Sequence, residues 1–293
     1  MTTLRVAAVA VTHNRSAVLG ETLRAVAAQT RRAECLYVVD NAGDHATAEL
    51  LRTEFPDAVH LRMAENLGPS GGHARGIEAA SQDGFDAFWL MDDDSPPQPD
   101  ALATLVVAAD VSTRRPGIIG CEGGVIRLGL VHHVADPRLE LRNREVADDL
   151  FAVEFVLLDG SLIFRRVVDA IGLPPVDYFT MMEDVEYPLR ARRAGFDVLL
   201  TGRDLMRRRH LGSDPASDLW RSYYQSRNHV RMALDFRSPR LLFGCAVRQA
   251  NFLVAALRAP DRRWERIRLR SRGVWDGLRR RMGRRVEPDS ASI

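Results

Sequence analysis

FWLMDDDSPPQPDAL, Phe88 to Leu102, sets four large apolar residues directly against three consecutive carboxylates and then a proline-broken turn. A run of this kind reads as a strand buried on both faces that stops at the edge of a sheet. Three adjacent carboxylates repel one another, and none sits unpaired in an apolar site. Taken alone, an acidic triplet is a solvated turn. At the end of a buried strand a second reading applies. A hard divalent cation, Mg2+ or Mn2+, takes oxygen ligands and binds together with phosphates. Side chains two apart on an extended backbone point the same way, so Asp92 and Asp94 are expected to face one metal ion.

Upstream, the pattern of apolar run and polar end repeats. Val6 to Val11 is a valine-rich run bounded by His13-Asn14. Cys35 to Val39 (CLYVV) is ended by Asp40-Asn41, and Val59 to Met63 is a short strand. Between these, Ser16 to Gln29 carries Leu19, Leu23, Val26 and Ala27 at helical spacing, with Ser16 as N-cap, and His45 to Glu54 is a second helix. A glycine-rich loop, Asn66 to Gly72, leads into a helix over His73 to Ala80, and Phe85 to Met91 is the next strand. Alternating strands and helices predict an α/β fold with a mostly parallel, Rossmann-like central sheet flanked by helices on both faces. Ligands in such sheets gather at the carboxyl ends of the strands. The polar groups stand there: Thr12 to Arg15, Asp40-Asn41, Glu65-Asn66 and Asp92 to Asp94.

Downstream, Asp100 to Ala109 reads as a helix, and beyond it the regularity weakens. Gly117 to Val134 holds short β-like runs, and Phe151 to Phe164 reads as one or two strands interrupted by Asp159-Gly160. Val185 to Ala194 is helical, Val198 to Leu200 a strand and Trp220 to Leu234 a helix. Pro137 to Asp149 is linker-like.

The totals exclude several classes. The chain has 293 residues, 46% of them hydrophobic, and a formal net charge of +2, which argues against a dedicated nucleic-acid binder. Its three cysteines show no metal spacing and fit a reducing compartment. The N-terminus reads as a first strand rather than a signal peptide. No run reaches the roughly 18 apolar residues of a membrane span. Leu241 to Leu257 is interrupted by Arg248, Gln249 and Asn251. The expectation is a cytoplasmic protein that also contacts the inner face of the cell membrane. That contact falls to the basic end of the chain, where eleven Arg meet three acids between Asp261 and Arg285, with Trp264, Ile267, Leu269, Val274, Trp275 and Leu278 interleaved. A helix packed on the main domain, or a homo-oligomer contact, are the other readings of that stretch.

Six motifs in order then carry a resemblance: VTHNR (Val11–Arg15), VVDNAG (Val38–Gly43), NLGPSGGHARG (Asn66–Gly76), the DDD after FWLM, MEDVEYPLRARRAGF (Met182–Phe196) and RRRHLG (Arg207–Gly212), followed by SYYQSRN (Ser222–Asn228). Together they resemble the family-2 inverting glycosyltransferases of the GT-A fold, and within them the galactofuranosyltransferases and rhamnosyltransferases. The chain departs from the pattern at Thr12-His13, where an aromatic usually follows the threonine, and at Pro69, where glycine is common. These departures leave the sugar open.

The resemblance implies a domain over residues 1–235, with a nucleotide-sugar-binding half (1–115) and an acceptor-binding and catalytic half (116–235), and a basic amphipathic helical region over 236–293. It implies a UDP- or dTDP-sugar donor, galactofuranose first and rhamnose second, and a glycan, glycolipid or small-molecule hydroxyl as acceptor. Thr12, Asn14, Arg15, Asp40, Asn66, Gly71, Gly72, Arg75, Asp92 and Asp93 fall at nucleotide-sugar positions. Asp92, Asp94 and His210 fall at the positions that hold Mn2+ or Mg2+. Asp184 falls at the general base, with Glu183 beside it. Asp159 and Gly160 lie on the acceptor side.

On the residues alone, Gly71-Gly72 is equally a phosphate cradle or a plain strand-helix turn, and Glu183-Asp184 is equally acid placed at a helix start. Two other functions fit the acidic strand end: a nucleotidyltransferase, and a nucleotide-sugar-binding scaffold without activity. A dinucleotide oxidoreductase fits poorly, because the first strand ends in THNR and not in a glycine turn.

Overall fold

The computed structural model describes residues 4–112, 115–208 and 219–287. In chain order the strands are β1 Val6–Thr12, β2 Cys35–Asn41, β3 Val59–Met63, β4 Ala87–Asp92, β5 Pro116–Gly120, β6 Gly123–Arg127, β7 Leu130–His133, β8 Glu145–Ala147, β9 Leu150–Ala152, β10 Phe155–Val156, β11 Leu162–Phe164 and β12 Asp197–Thr201. The helices are α1 Ser16–Ala27, α2 His45–Glu54, α3 Gly68–Gln82, α4 Ala101–Val111, α5 Pro137–Glu140, α6 Arg165–Ile171, α7 Glu183–Arg193, α8 Leu219–Asp235, α9 Pro239–Arg258 and α10 Arg263–Leu278. The chain divides into two compact units. The first is Met1–Val125, His133–Val176 and Asp184–Leu211; the second is Ile126–His132, Asp177–Glu183 and Gly212–Ile293.

In the first unit one nine-stranded sheet runs in the order β3-β2-β1-β4-β11-β5-β12-β9-β8. β1, β2, β3 and β4 are mutually parallel where they pair, and β5 is parallel to β12. β11 enters antiparallel between β4 and β5, and β8 and β9 close the far edge antiparallel. Alternate residues of β1 and β4 enter two separate cores, because each strand is covered on both faces. Val6, Ala8, Ala10, Trp89 and Met91 pack with Leu19, Leu23 and Leu105 of α1 and α4. Ala7, Val9, Phe88 and Leu90 pack with Ile77 of α3 and Tyr187 of α7. This is the covering that continuous apolar strands require.

The register brings the polar ends into one line. Thr12 pairs with Asp40 across β1 and β2, and Val11 pairs with Asp92 across β1 and β4. β11 adds a residue to that line. Its antiparallel entry places the Asp159-Gly160 turn at the end of β4, where Gly160, at φ +81°, donates its N–H to the Leu90 carbonyl at 2.8 Å.

Two helix starts differ from the sequence expectation. The N-cap of α1 is Arg15, with no side-chain cap; Ser16 is the first helical residue. α3 begins at Gly68 and not at His73, so most of the expected loop is helix. Pro69 suits the first turn, where its missing N–H has no intrahelical partner, and the Asn66 side chain accepts the Gly68 N–H at 2.8 Å.

In the second unit α8 carries a small aromatic core of Phe179, Trp220, Tyr223 and Tyr224, with Leu269 of α10 packed against it. α10 lies close along α8 through two glycines. A Cβ on Gly273 would stand 2.4 Å from the Tyr223 carbonyl oxygen, and one on Gly277 would stand 2.5 Å from that of Arg227. Leu269, expected on a lipid-facing side, is therefore turned inward, while Trp264, Trp275 and Leu278 stay exposed.

Candidate active site

β4 delivers Asp92 to the sheet edge, and the chain leaves the extended conformation immediately after it. The alternation expected to aim Asp92 and Asp94 in one direction therefore stops at Asp92. Asp93 turns inward and is 4% exposed. It accepts from Thr12 Oγ1 at 2.8 Å and is paired with Arg15 Nη1 at 2.8 Å. The other arm of the same guanidinium holds Asp94 at 2.8 Å. Arg15 thus forks across two adjacent carboxylates, which fixes the turn. Burial pushes the Asp93 carboxyl up to about 6, against the opposing pull of Arg15 and the Thr12 hydrogen bond.

Asp92 is half-buried, with 39% of its side chain accessible. Its Oδ1 lies 3.5 Å from Nε2 of His73, a fully enclosed residue early in α3. Burial drives the His73 imidazole below its ordinary value, despite the nearby Asp159 charge, and favours the neutral ring. The Asp92 carboxyl is held well above the usual range by its enclosure and by repulsion from Asp159, Asp94, Asp93 and Asp184.

Asp159 ties the opposite wall together. Its Oδ1 accepts the Asp92 N–H at 3.0 Å, and its Oδ2 accepts from Ser95 Oγ at 2.7 Å and from Arg208 Nε at 2.8 Å. Arg208 also reaches Glu122 at 2.5 Å. Asp184, at the start of α7, accepts the Leu158 N–H at 2.7 Å, and burial pushes its carboxyl up to about 6. Five carboxylates, Asp92, Asp93, Asp94, Asp159 and Asp184, thus converge, and among the described residues the arginines bonded to them are Arg15 and Arg208.

The remaining expected residues take separate places. Asp40 is fully buried; its Oδ2 meets His60 Nε2 at 3.2 Å, and its Oδ1 has no hydrogen-bond partner. Asn41 accepts from the Leu67 N–H and donates to the Gly68 carbonyl, which anchors the start of α3. Gly72 sits where a Cβ would meet Val11 Cγ1 at 2.5 Å, and Gly71 where one would meet Leu67 Cβ at 2.6 Å. Both glycines let α3 lie close to what it packs against. Asn14 is exposed in a left-handed turn at φ 54°, and Arg75 is exposed and paired with Glu78. Glu183 is buried. His210 lies outside the described residues. His73, Ser95 and Arg208 were not singled out from sequence, although His73 and Arg208 stand inside the quoted GGHARG and RRRHLG motifs.

In the second unit, the loop that runs into Glu183-Asp184 is held in an unusual conformation. Phe179, Met181 and Met182 all have positive φ, at 65°, 70° and 73°. Bulky residues adopt this region only when the surroundings impose it. The fully buried Asn228 imposes it, donating Nδ2 to the carbonyls of Tyr178 (3.1 Å), Thr180 (2.8 Å) and Met181 (2.8 Å). Arg227 adds a hydrogen bond to the Tyr178 carbonyl at 2.8 Å and one to the Gly283 carbonyl at 2.5 Å.

Among the described residues no three His, Cys, Asp or Glu side chains are arranged as a metal cage. The donor set nevertheless suits a hard cation. Among the described residues it is all oxygen, and it is rich in carboxylates; desolvation and then repulsion from its neighbours hold the half-buried Asp92 carboxyl above its usual range, which a cation would relieve.

Residues 4–227 match the family described as Glycosyltransferase like family 2. The chain is 31% identical over 297 aligned residues, covering 91% of it and 94% of the relative, to the galactofuranosyltransferase GlfT1 of Mycobacterium tuberculosis (strain CDC 1551 / Oshkosh). It is 32% identical over 207 residues to GlfT1 of Mycolicibacterium smegmatis, covering 67% of the chain and 68% of that relative. In structure it resembles the mannosyltransferase PcManGT from Pyrobaculum calidifontis, solved with GDP-Man and Mn2+, at TM-score 0.57 and 16% identity over 94% of this chain and 87% of that one. It also resembles GalNAc-T7, solved with UDP, GalNAc and Mn2+, at TM-score 0.61 and 17% identity over 78% of this chain and 47% of that one. Both likenesses are of fold, the GT-A arrangement.

Proposed function

The chain belongs to the glycosyltransferase-like family 2 and is a glycosyltransferase, and we propose on that premise that it moves a sugar from a nucleotide-diphosphate donor to an acceptor hydroxyl with inversion. A UDP-sugar is the first choice of donor and a dTDP-sugar the second, with galactofuranose ahead of rhamnose. The two galactofuranosyltransferase relatives support that order. The acceptor is a glycan, a glycolipid or a small molecule. The protein works in the cytoplasm at the inner face of the cell membrane, which its basic C-terminal region contacts.

The observation that carries this reading is the gathering of Asp92 and Asp184 in one group of mutually repelling carboxylates at the carboxyl edge of the sheet. Asp92 and Asp94, joined by His210, would hold Mn2+ or Mg2+, which when bound neutralises charge on the departing diphosphate. The donors present fit that role in kind, and the Arg15 fork holds Asp94 in place. Arg15 and Thr12 fix Asp93, and so fix the turn that aims Asp92. Asp40 keeps an unpartnered buried oxygen at the next strand end, suited to a donor group of a base.

Asp184 takes the acceptor proton as the new bond forms. At about 6 its carboxyl is ionised at neutral pH yet a better base than an ordinary aspartate. Direct displacement requires no nucleophile on the enzyme, and Cys121, nearest the site, is a buried thiol pushed up to about 12, unsuited to attack.

A donor screen tests the proposal. Purified protein with Mn2+ or Mg2+ is offered a panel of nucleotide sugars, and release of UDP or dTDP is measured. Asp184→Asn should lower transfer at least about a hundredfold, the scale of a lost general base, while nucleotide binding persists. Loss of nucleotide binding with this substitution would place the base elsewhere. Turnover of nucleoside triphosphates in place of nucleotide sugars would mean a nucleotidyltransferase.

A further inference from the structure

The second unit presents a surface that sugar transfer does not use. α9 is 20 residues long; its most apolar 18-residue stretch has a mean hydropathy of 1.2, yet only 22% of that stretch is buried. Its inward positions, Leu241, Cys245, Arg248, Phe252 and Ala256, recur at helical spacing and turn into the unit. The opposite side is apolar along the whole helix. Phe243, Ala246, Ala250, Leu253, Val254 and Leu257 are all exposed, Phe243 by 59% and Leu257 by 49%, and no charged side chain interrupts them. A helix in water shows the reverse pattern. An apolar stripe about 21 Å long from Phe243 to Leu257, at 1.5 Å per residue, marks a surface that something covers.

The charge around the stripe identifies the partner. Between residues 239 and 287 there are 14 arginines and four acids, in a chain whose formal charge is only +2. Arg240 and Arg258 stand at the two ends of α9. Beside it, Arg221, Arg266 and Arg270 line a cavity of about 140 Å³ together with Ser222 and Gln225; among the described residues its lining holds no carboxylate, and Asp261, outside that lining, pairs with Arg266 at 3.2 Å. Arg270 lies over the Phe252 ring at 3.7 Å, and its Nη1 is buried without a hydrogen-bond partner. Burial and the nearby Arg248 and Arg266 push that guanidinium down to about 10, so an anion there would relieve it. A second copy of the chain is a poor occupant, since pairing this face with itself would bring like charges together. Spanning a bilayer is also a poor fit, because the inward side carries Arg248 and packs within the unit.

We propose that α9 lies in the headgroup layer of an anionic phospholipid bilayer, its apolar stripe toward the acyl chains, with the neighbouring arginines of α10 and the cavity holding lipid phosphates. Trp264 and Trp275 of α10 are exposed as well, and indoles favour the headgroup interface. The proposal deepens the peripheral membrane contact of the functional reading and requires neither donor nor metal.

Full-length protein is sedimented with phosphatidylcholine vesicles and with phosphatidylcholine–phosphatidylglycerol vesicles, without nucleotide. Strong binding to the anionic vesicles is expected, weakened by salt and weak on the neutral ones. The doubly substituted Leu253→Asp, Leu257→Asp chain, altered only at exposed positions, should bind roughly tenfold or more weakly. Arg266→Ala with Arg270→Ala should abolish the preference for phosphatidylglycerol while residual binding persists. A melting curve for each variant, with its nucleotide-induced shift, separates lost docking from lost folding. Failure of the transferase reading would appear as a missing nucleotide shift with vesicle binding intact. Four results would overturn the proposal: equal binding to neutral vesicles, binding of inorganic phosphate with none to vesicles, retention on vesicles after carbonate extraction, or a concentration-dependent dimer that the Leu253→Asp, Leu257→Asp chain loses.

Discussion

At the scale of single residues, the site sets charge against stability. Asp184 is half ionised at about pH 6 in the folded chain, because burial pushes its carboxyl up, whereas an unfolded aspartate is half ionised near roughly 3.9. Between those values the folded state binds more proton than the unfolded one. The stability that neutral Asp184 contributes is therefore complete below about pH 4 and declines as pH rises toward 6. Transfer demands the opposite form. For the free enzyme, kcat/KM should rise with unit slope through about pH 6 and then level. The limb should vanish in the residual activity of Asp184→Asn. A wild-type profile already flat from pH 5 upward would show that Asp184 is not the group being titrated. Of the residues in this site, the aspartates were legible because strand ends and motif order point at them. His73 and Ser95 were not, because their roles arise only when α3 and the Asp159 turn fold back onto β4, contacts with no local signature in the chain.

At the scale of elements, the strands and most helices could be read from period and apolar run, since β1, β2 and β4 are covered on both faces and look it. Helix starts were less legible. Gly68 to Gly72 reads as a loop because glycine is a weak helix former, yet these glycines are there so that α3 can approach β1 and its own N-cap, and packing overrides propensity. The SYYQSRN segment also gains its meaning only in three dimensions. Asn228 uses one amide to hold three carbonyls of a loop whose backbone three bulky residues would otherwise abandon, and that loop continues directly into Glu183 and Asp184. Asn228→Ala removes that donor from the Thr180 and Met181 carbonyls, while the Tyr178 carbonyl keeps Arg227, and it removes the restraint on the loop. We expect a melting point lower by the equivalent of about 1–3 kcal/mol, the cost of unsatisfied buried groups. Beyond that, kcat should fall about ten- to a hundredfold while the donor KM stays near its original value, since a base displaced by about 1 Å loses rate and not binding. Equal loss in both parameters, or a change in stability alone, would reduce Asn228 to a packing residue.

At the scale of the whole molecule, charge is sorted along the chain: the basic excess of residues 239–287 leaves the remainder net acidic, and five of those acids meet at one sheet edge. Such a cluster is unfavourable in the empty protein, so whatever neutralises it must stabilise the fold by mass action. Mn2+ should raise the melting temperature at neutral pH, and Mn2+ with UDP should raise it further. At 100 times its dissociation constant a ligand adds about 2.7 kcal/mol. Protons compete for the same oxygens, with Asp93 and Asp184 at about 6 and Asp92 held above its usual range. The Mn2+ shift should therefore shrink as pH falls below about 6. Asp92→Asn separates this account from ordinary surface binding of ions. Removing one member of a mutually repelling set should raise the melting temperature of the metal-free protein, because functional carboxylates are kept at the expense of stability. The same substitution should erase most of the Mn2+ response. An Asp92→Asn protein that melts lower than the original without metal, or that responds to Mn2+ undiminished, would mean that repulsion at this edge is already relieved by the fold and that the cation binds somewhere else.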